Sequence, residues 1–464
     1  KLSFSLKKNC WRKEIIMNII KLSKKPQDSE FQITNEMREE AFQKVLKSFN
    51  SNRIAENEPL TNQLKAATDV LKTGALSPFL GDWKDIPNVG SFYGGTKVRE
   101  FESAIKEFYS VKHAITVNSW TSGLICAVGA LGIEPGDEVI VSPWTMCASA
   151  TAILHWCGIP VFCDIESDTF NLDPESIKKN ITEYTKAIMV PDIFGHPADM
   201  ERIMKIAGEK NLKVISDTAQ APLAKENSKF AGTISDIGGF SLNYHKHIQT
   251  GEGGILITND DNYAERMQLI RNHGEAVVEG KGVKDISNII GYNFRLGEIE
   301  AAIGIEQFKK LDNLVSRRVE IANILSNGLS DLAGLKTPII KDGFTHSFYV
   351  YGLTYDETKT GIHRDKVYEA LKIEGVPIVN CYANLHLLPM YQTRIAYGTK
   401  GFPWNSEFYR GNVSYEKGIC PVAENLNDKT FLKIPICDYE FNDNEVQKVI
   451  KAFNKVWDQL EKLK

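Results

Sequence analysis

The chain has 464 residues, about three times a typical domain length, so two domains or one large domain with additions are expected. Hydrophobic residues make up 42% and charged residues 25%, with a formal net charge of −4. That balance suits a globular protein with a sizeable core, and nothing in it asks for nucleic acid or a membrane surface as partner. No apolar run approaches the roughly 18 residues that would span a bilayer.

The first stretch, KLSFSLKKNCWRKEIIMNII, is basic and mildly apolar but lacks a clear hydrophobic region and a small-residue cleavage site, so a signal peptide is not expected. Met17 reads as a natural start, with residues 1–16 as upstream sequence, and the intact mass of the native protein tests that hypothesis. Residues 34–75 carry apolar positions at helical spacing. Residues 76–96 are rich in Gly and Pro and read as a long ordered loop of the kind that is often functional.

From residue 97 a regular alternation begins. KVREFESAIKEFYSV reads as a helix with Phe101, Ile105 and Phe108 on its apolar face. Seven β-rich runs follow: 114–118, 138–143, 160–165, 187–193, 213–217, 238–242 and 254–259. Helical patterns separate most of them, which predicts an α/β fold with a mostly parallel seven-stranded sheet flanked by helices. The last two runs are only about a dozen residues apart, barely enough for a crossover helix, so the final strand is expected to be antiparallel. A long helical stretch over 295–330 then bridges to a smaller α+β C-terminal domain. That domain carries a strand pattern at 347–355, a helix after Arg364, a Pro/Tyr-rich loop over 377–425 and a final amphipathic helix. The expected division is an N-terminal helical extension and loop (1–94), a large domain (95–315) and a small domain (316–464).

Eight cysteines are scattered along the chain, at 10, 126, 147, 157, 163, 381, 420 and 437, and none forms a CxxC pair. They read as reduced core residues of a cytoplasmic protein. Cys157 and Cys163 have neither a second pair nor a histidine pair nearby, so no metal site is expected.

Ligands of open α/β sheets bind at the carboxyl ends of the strands, so the residues that follow each strand carry the chemistry. After the first run, Ser119-Trp120-Thr121-Ser122-Gly123 opens a helix, and free N–H groups there suit a phosphate as well as an ordinary N-cap. The fifth run ends on Asp217, a carboxylate that needs a positive or hydrogen-bonding partner. The sixth is followed by His245-Lys246-His247 and then TGEGG. A pyridinium ring, a phosphate and an aldehyde need those three partners: a carboxylate, a phosphate cradle and a lysine.

Longer motifs carry a resemblance. GTKVREFE (95–102), VKHAITVNSWTSGL (111–124), GIEPGDEVIVSP (132–143), IPVFCDIESDTFNLDPESI (159–177), TKAIMVPDIFGHPADM (185–200), VISDTAQA (214–221), FSLNYHKHIQTGEGG (240–254), RNHG (271–274) and YNFRLGEIEAAIG (292–304) run almost without gaps, with HLLPMY (386–391) and PVAE (421–424) beyond them. In these motifs the chain resembles the DegT/StrS-type sugar aminotransferases, which depend on pyridoxal phosphate (PLP) and have PLP fold type I. The resemblance implies Lys246 as the Schiff-base lysine, Asp217 beside the pyridine nitrogen and Gln220 near the ring hydroxyl. Trp120, Thr121 and Ser241 match phosphate positions, and Asn293 matches an asparagine that reaches the phosphate from a partner subunit, which implies a homodimer with shared sites. L-glutamate as donor and a nucleotide-linked keto sugar as acceptor are implied in the same way, in surface polysaccharide (lipopolysaccharide) or secondary-metabolite sugar biosynthesis.

Three positions depart from the family pattern. Met146 stands where an aromatic ring usually stacks on PLP, Trp120 replaces a small residue in the phosphate turn, and Asp192 stands where histidine is common. Asp192, His245, Tyr382 and His386 are candidate substrate contacts, with Trp83, Phe92 and Tyr93 of the long loop as aromatic alternatives. The rival readings are a sugar dehydratase of the same family, which has histidine in place of the lysine, a non-catalytic regulator with the PLP fold, and an aminotransferase acting on a cyclitol or an octulosonate. The TGEGG anchor places Lys246, not His245 or His247, at the lysine position.

Overall fold

The computed structural model describes residues 60–82, 85–86 and 89–464. Most of the helical pattern at 34–75 and the candidate Trp83 lie outside the described residues. Inside them that pattern yields helix α1 (Leu60–Thr73). Helix α2 (Thr96–Tyr109) buries Val98, Phe101, Ile105 and Tyr109, while Phe108 is half-buried and meets Phe308 at 5.1 Å between ring centres.

All seven runs form strands of one sheet. In chain order they are β1 (His113–Val117), β2 (Glu138–Val141), β3 (Ile159–Phe162), β4 (Thr185–Pro191), β5 (Lys213–Asp217), β6 (Ile237–Ser241) and β7 (Gly254–Thr258). Their order across the sheet is β1-β7-β6-β5-β4-β2-β3. β7 runs antiparallel to both its neighbours and every other pairing is parallel, as the short β6–β7 connection requires. The strands are Val/Ile-rich and almost wholly buried because helices cover both faces. Helices α3 (Trp120–Ala130), α4 (Cys147–His155), α5 (Pro174–Asn180), α6 (Met200–Lys210) and α7 (Asp261–Arg271) supply that cover. At the root of α7, Arg271 is fully buried and donates to Glu102 Oε1 at 2.8 Å and to the Thr116 carbonyl at 3.1 Å.

The stretch expected as one bridging helix is two: α8 (Glu298–Phe308) and α9 (Leu311–Leu329). No Gly or Pro marks the break. The helical ladder switches at Lys310, whose N–H bonds back three residues to Gln307, and the two halves pack on different bodies. α8 lies on α1 and α2, with Phe308 among Phe101, Phe108 and Tyr109. The far half of α9 buries Ile321, Leu325 and Leu329 against a small antiparallel sheet. That sheet is β8 (Leu335–Lys336), β9 (Tyr351–Tyr355) and β10 (Phe431–Ile434), with β9 central. Helices α10 (Arg364–Ile373) and α11 (Asp443–Trp457) complete this layer, and α11 opens on a reciprocal Asn442/Glu445 cap.

Between β9 and β10 the chain returns to the large sheet. Tyr391, Trp404, Tyr409, Tyr415 and Cys420 all join its core. Tyr415 donates its hydroxyl to the Pro160 carbonyl of the edge strand β3 at 2.7 Å, so this loop covers an edge that would otherwise be open.

Candidate active site

Register brings the motifs to one sheet edge. Val117 pairs with Gly254, Gly254 with Ser241, and Gly239, two residues before Ser241, with Asp217. The ends of β1, β5 and β6 and the start of β7 therefore face the same crevice.

Asp217 is buried at this edge, with 6% of its surface exposed. Its Oδ1 accepts from Trp120 Nε1 at 2.6 Å and its Oδ2 from Ser149 Oγ at 2.7 Å. The bulk of Trp120 thus goes toward Asp217. Two glycines make room for the indole and a third for its backbone: a Cβ at Gly239 would lie 2.4 Å from the ring, one at Gly123 2.8 Å from it, and one at Gly254 2.9 Å from the Trp120 backbone. The backbone N–H groups of Trp120 and exposed Thr121 lie in the first turn of α3, where groups without a helical partner suit an anion. The Ser119 side chain caps that turn by accepting from Ser122 N at 3.1 Å. Ser241 closes β6, buried, its Oγ accepting from Asn243 N at 3.3 Å.

Lys246 is half-buried, with Nζ 4.3 Å from the centre of the Tyr349 ring. Removal from water pulls its amine down to about 8, against the opposing pull of Asp217, Cys437 and Asp438. An amine there is a usable nucleophile near neutral pH. Its neighbours are not equivalent. His247 is buried and bonds to the Ser347 carbonyl at 2.8 Å, and burial, then Arg318, hold its imidazole down to about 3. His245 lies among Tyr244 and Tyr349, at ring distances of 5.1 and 6.0 Å.

Gln220 is buried and accepts from Phe194 N at 2.8 Å, and its amide reaches the Tyr382 hydroxyl at 3.5 Å. Tyr382 edges Trp144 and Phe194 at 5.5 and 5.4 Å, and burial pushes its phenol up to about 12. Met146 stands just before α4 with 63% of its surface exposed, whereas Trp144 is wholly buried against Phe431 at 4.7 Å. Asn293 is exposed, its Oδ1 accepting from Arg295 Nε at 2.7 Å.

Two candidate substrate contacts have their side chains committed to internal partners, Asp192 at the same sheet edge, where its N–H donates to the Asp217 carbonyl at 3.1 Å. Asp192 is buried with both oxygens committed, to Ala198 N at 2.9 Å and Thr218 Oγ1 at 2.7 Å, and burial pushes its carboxyl up to about 7. His386 is wholly buried and donates to Glu424 Oε1 at 2.9 Å, which fastens the HLLPMY segment to PVAE. Neither faces the crevice as a free polar group. Phe92 is core, packed with Leu269, Val277 and Ile289, and Tyr93 is half-buried beside it. Sequence reasoning missed Ser149, which looks like any small helix residue, and Tyr349, which reads as part of a strand pattern.

A mostly parallel sheet with one antiparallel strand, a helix N-terminus, a carboxylate at a strand end and a lysine after the next strand define an enzyme of PLP fold type I. A profile of the DegT/DnrJ/EryC1/StrS aminotransferase family matches residues 79–414. The chain is 35% identical over 369 residues to the uncharacterized protein MJ1066 of Methanocaldococcus jannaschii, covering 78% of this chain and 90% of that one. It is 35% identical over 300 residues to the GDP-perosamine synthase of Escherichia coli O157:H7, covering 65% of this chain and 80% of that one. Among solved structures, the aminotransferase TlmJ from Streptoalloteichus hindustanus superposes with a TM-score of 0.71 at 26% identity, over 89% of this chain and 100% of that one. The chain belongs to the DegT/DnrJ/EryC1/StrS aminotransferase family. It is a PLP-dependent aminotransferase with a role in sugar biosynthesis.

The residues present fit the cofactor. The Asp217 carboxylate has four acceptor positions and keeps one on Oδ2, which accepts only from Ser149 among the described residues. The Lys246 amine, brought down to about 8, keeps a usable free-base fraction near neutral pH at the same edge. Among the described residues, no helix is long and apolar enough to cross a membrane.

Proposed function

We propose that the chain carries an amino group from L-glutamate to the keto carbon of a nucleotide-linked sugar. Lys246 would hold PLP and, once free, would move a proton as general base and acid. PLP supplies the electron sink when bound. Asp217 partners the ring nitrogen and Gln220 the ring hydroxyl. The backbone N–H groups of Trp120 and Thr121, with Ser241, take the phosphate. Met146 covers a ring face, which a thioether does well. His245 and Tyr382 border the sugar.

The reading is carried by Lys246: a half-buried amine brought down to about 8, over Tyr349, at the sheet edge that holds Asp217. The nucleotide-linked acceptor is supported by the GDP-linked sugar in the name of one relative. Surface polysaccharide, lipopolysaccharide included, is the product class it favours.

A large domain of residues 95–315 carries the lysine and the carboxylate, and 316–464 forms the small domain. The two buried clusters that meet within α9 support this division, although residues 385–426 pack back on the large sheet. The working unit is a homodimer in which Asn293 serves the neighbouring subunit's phosphate site, a role its exposed position favours. The free thiols of Cys126, Cys147, Cys157, Cys163, Cys420 and Cys437 suit a cytoplasmic setting.

Absorption spectroscopy tests the reading. Purified protein with PLP is expected to show the visible band of lysine-bound cofactor, and L-glutamate to bleach it. Lys246→Ala is expected to lack the band. A band that L-glutamate leaves unchanged sinks this donor and half-reaction.

A further inference from the structure

We infer that Trp120 and Ser149 are positioning residues for Asp217, clamping its carboxylate from two sides so that its remaining Oδ2 position faces the ring nitrogen of PLP. The inference rests on the assignment of Asp217 to that nitrogen.

The clamp is built, not incidental. The indole N–H is a donor only, so Trp120 can satisfy Oδ1 solely as an acceptor and favours a carboxylate that carries its charge. Its bond of 2.6 Å is short, as charge-assisted bonds are. The ring stays in place because Gly239 leaves its slot open, and a side chain at that position would also strike the Ile255 carbonyl at 2.2 Å. On the other side, Ser149 Oγ reaches Oδ2 at 2.7 Å and lies 3.0 Å from Thr145 Oγ1. Because Ser149 gives its proton to Asp217, the Thr145 hydroxyl supplies the next one, and both serine and threonine are buried. Ala219 N adds only a long contact of 3.4 Å to Oδ1.

A clamped anion keeps a proton on the ring nitrogen, and a cationic ring disfavours a second proton on the nitrogen that joins Lys246 to PLP. With one donor gone, the carboxylate competes better for the ring proton, and the joining nitrogen titrates at higher pH. The test is a pH titration of the visible band in PLP-loaded wild type, Trp120→Phe and Ser149→Ala. Phe keeps most of the ring volume while losing the donor, and Ser149→Ala removes one hydroxyl at little risk to folding.

The expected result is an upward shift of about one pH unit in Trp120→Phe and a smaller upward shift in Ser149→Ala. A fall in kcat of about tenfold, with the KM for L-glutamate within about twofold, accompanies the larger shift. Should Trp120→Phe fail to fold, Ser149→Ala alone decides. Unchanged titration in the folded variants overturns the inference and leaves the assignment of Asp217 standing. A wild type without any PLP band overturns that assignment and the inference with it.

Discussion

The imidazole of His247 donates to the Ser347 carbonyl at 2.8 Å and ties the loop that carries Lys246 to the segment entering β9. His247 is neutral in the folded protein because burial holds it down to about 3, whereas the unfolded chain takes up its proton near 6.5. Below that value the unfolded state binds the extra proton, so this group's contribution is lost as pH falls from about 6.5 toward 3. Urea denaturation of wild type and His247→Gln at pH 7 and pH 5 checks it. Glutamine keeps an N–H donor for Ser347 but does not titrate. The wild type is expected to lose up to about 1.4 kcal/mol more per pH unit than the variant. Equal losses in the two proteins refute the assignment.

Lys246 predicts a different pH dependence. Its amine, held down to about 8, reacts as the free base. Capture of pyridoxal trapped by borohydride should rise about tenfold per pH unit below 8 and level above it. Peptide mass mapping is expected to place the adduct on Lys246, and Lys246→Arg to abolish it. A plateau reached only above pH 10 contradicts the lowered amine.

Asp192 has the opposite sign. Its carboxyl is pushed up to about 7 in the folded protein by burial, with Asp217 and Glu226 adding to the effect, against about 4 unfolded. The folded state therefore holds a proton that the unfolded state releases, and stability from this group is lost as pH rises through 4 to 7. Asp192→Asn keeps an acceptor for Ala198 N and offers a donor to the Thr218 hydroxyl. It is expected to be more stable than wild type by about 1–3 kcal/mol at pH 8, with the gap closing toward pH 5. A variant less stable than wild type at pH 8 rules this out.

The buried pair of Arg271 and Glu102 makes a cost prediction. Glu102 Oε1 also accepts from Thr116 N at 2.8 Å and Thr116 Oγ1 at 3.0 Å, so one carboxylate joins α2, β1 and α7. Glu102→Leu strands the guanidinium in the core and is expected to cost about 3–5 kcal/mol by urea denaturation. A loss under about 1 kcal/mol refutes the pair's bracing role.

Much of the fold is readable from local pattern. Within the runs 138–143 and 187–193, residues 139–141 and 187–191 are apolar without a break, which fits strands covered on both faces, and the short connection after Ser241 leaves no room for a crossover. The break between Phe308 and Leu311 is not readable, because no residue there breaks helices and the cause is packing on two bodies. Asp217 stands out because it ends a strand and Lys246 because it lies in the loop after the next one. The contact of Ser149 with Asp217 spans 68 residues and that of Trp120 spans 97, distances over which spacing carries no signal. Asp192 and His386 mislead for one shared reason. A polar residue inside a motif suggests a ligand, yet each is spent on an internal partner.

The hydroxyl of Tyr415 caps the Pro160 carbonyl of β3 across 255 residues of chain. A ribosome adding about 5–20 residues per second needs on the order of ten to fifty seconds to make that length. In the later part of that interval, once β7 ends at Thr258, the nascent sheet has its strands but lacks the cover for one side, and an open edge pairs readily with a neighbouring chain. The late loop thus sets a window of vulnerability during synthesis, one that lengthens whenever translation slows before residue 415 emerges.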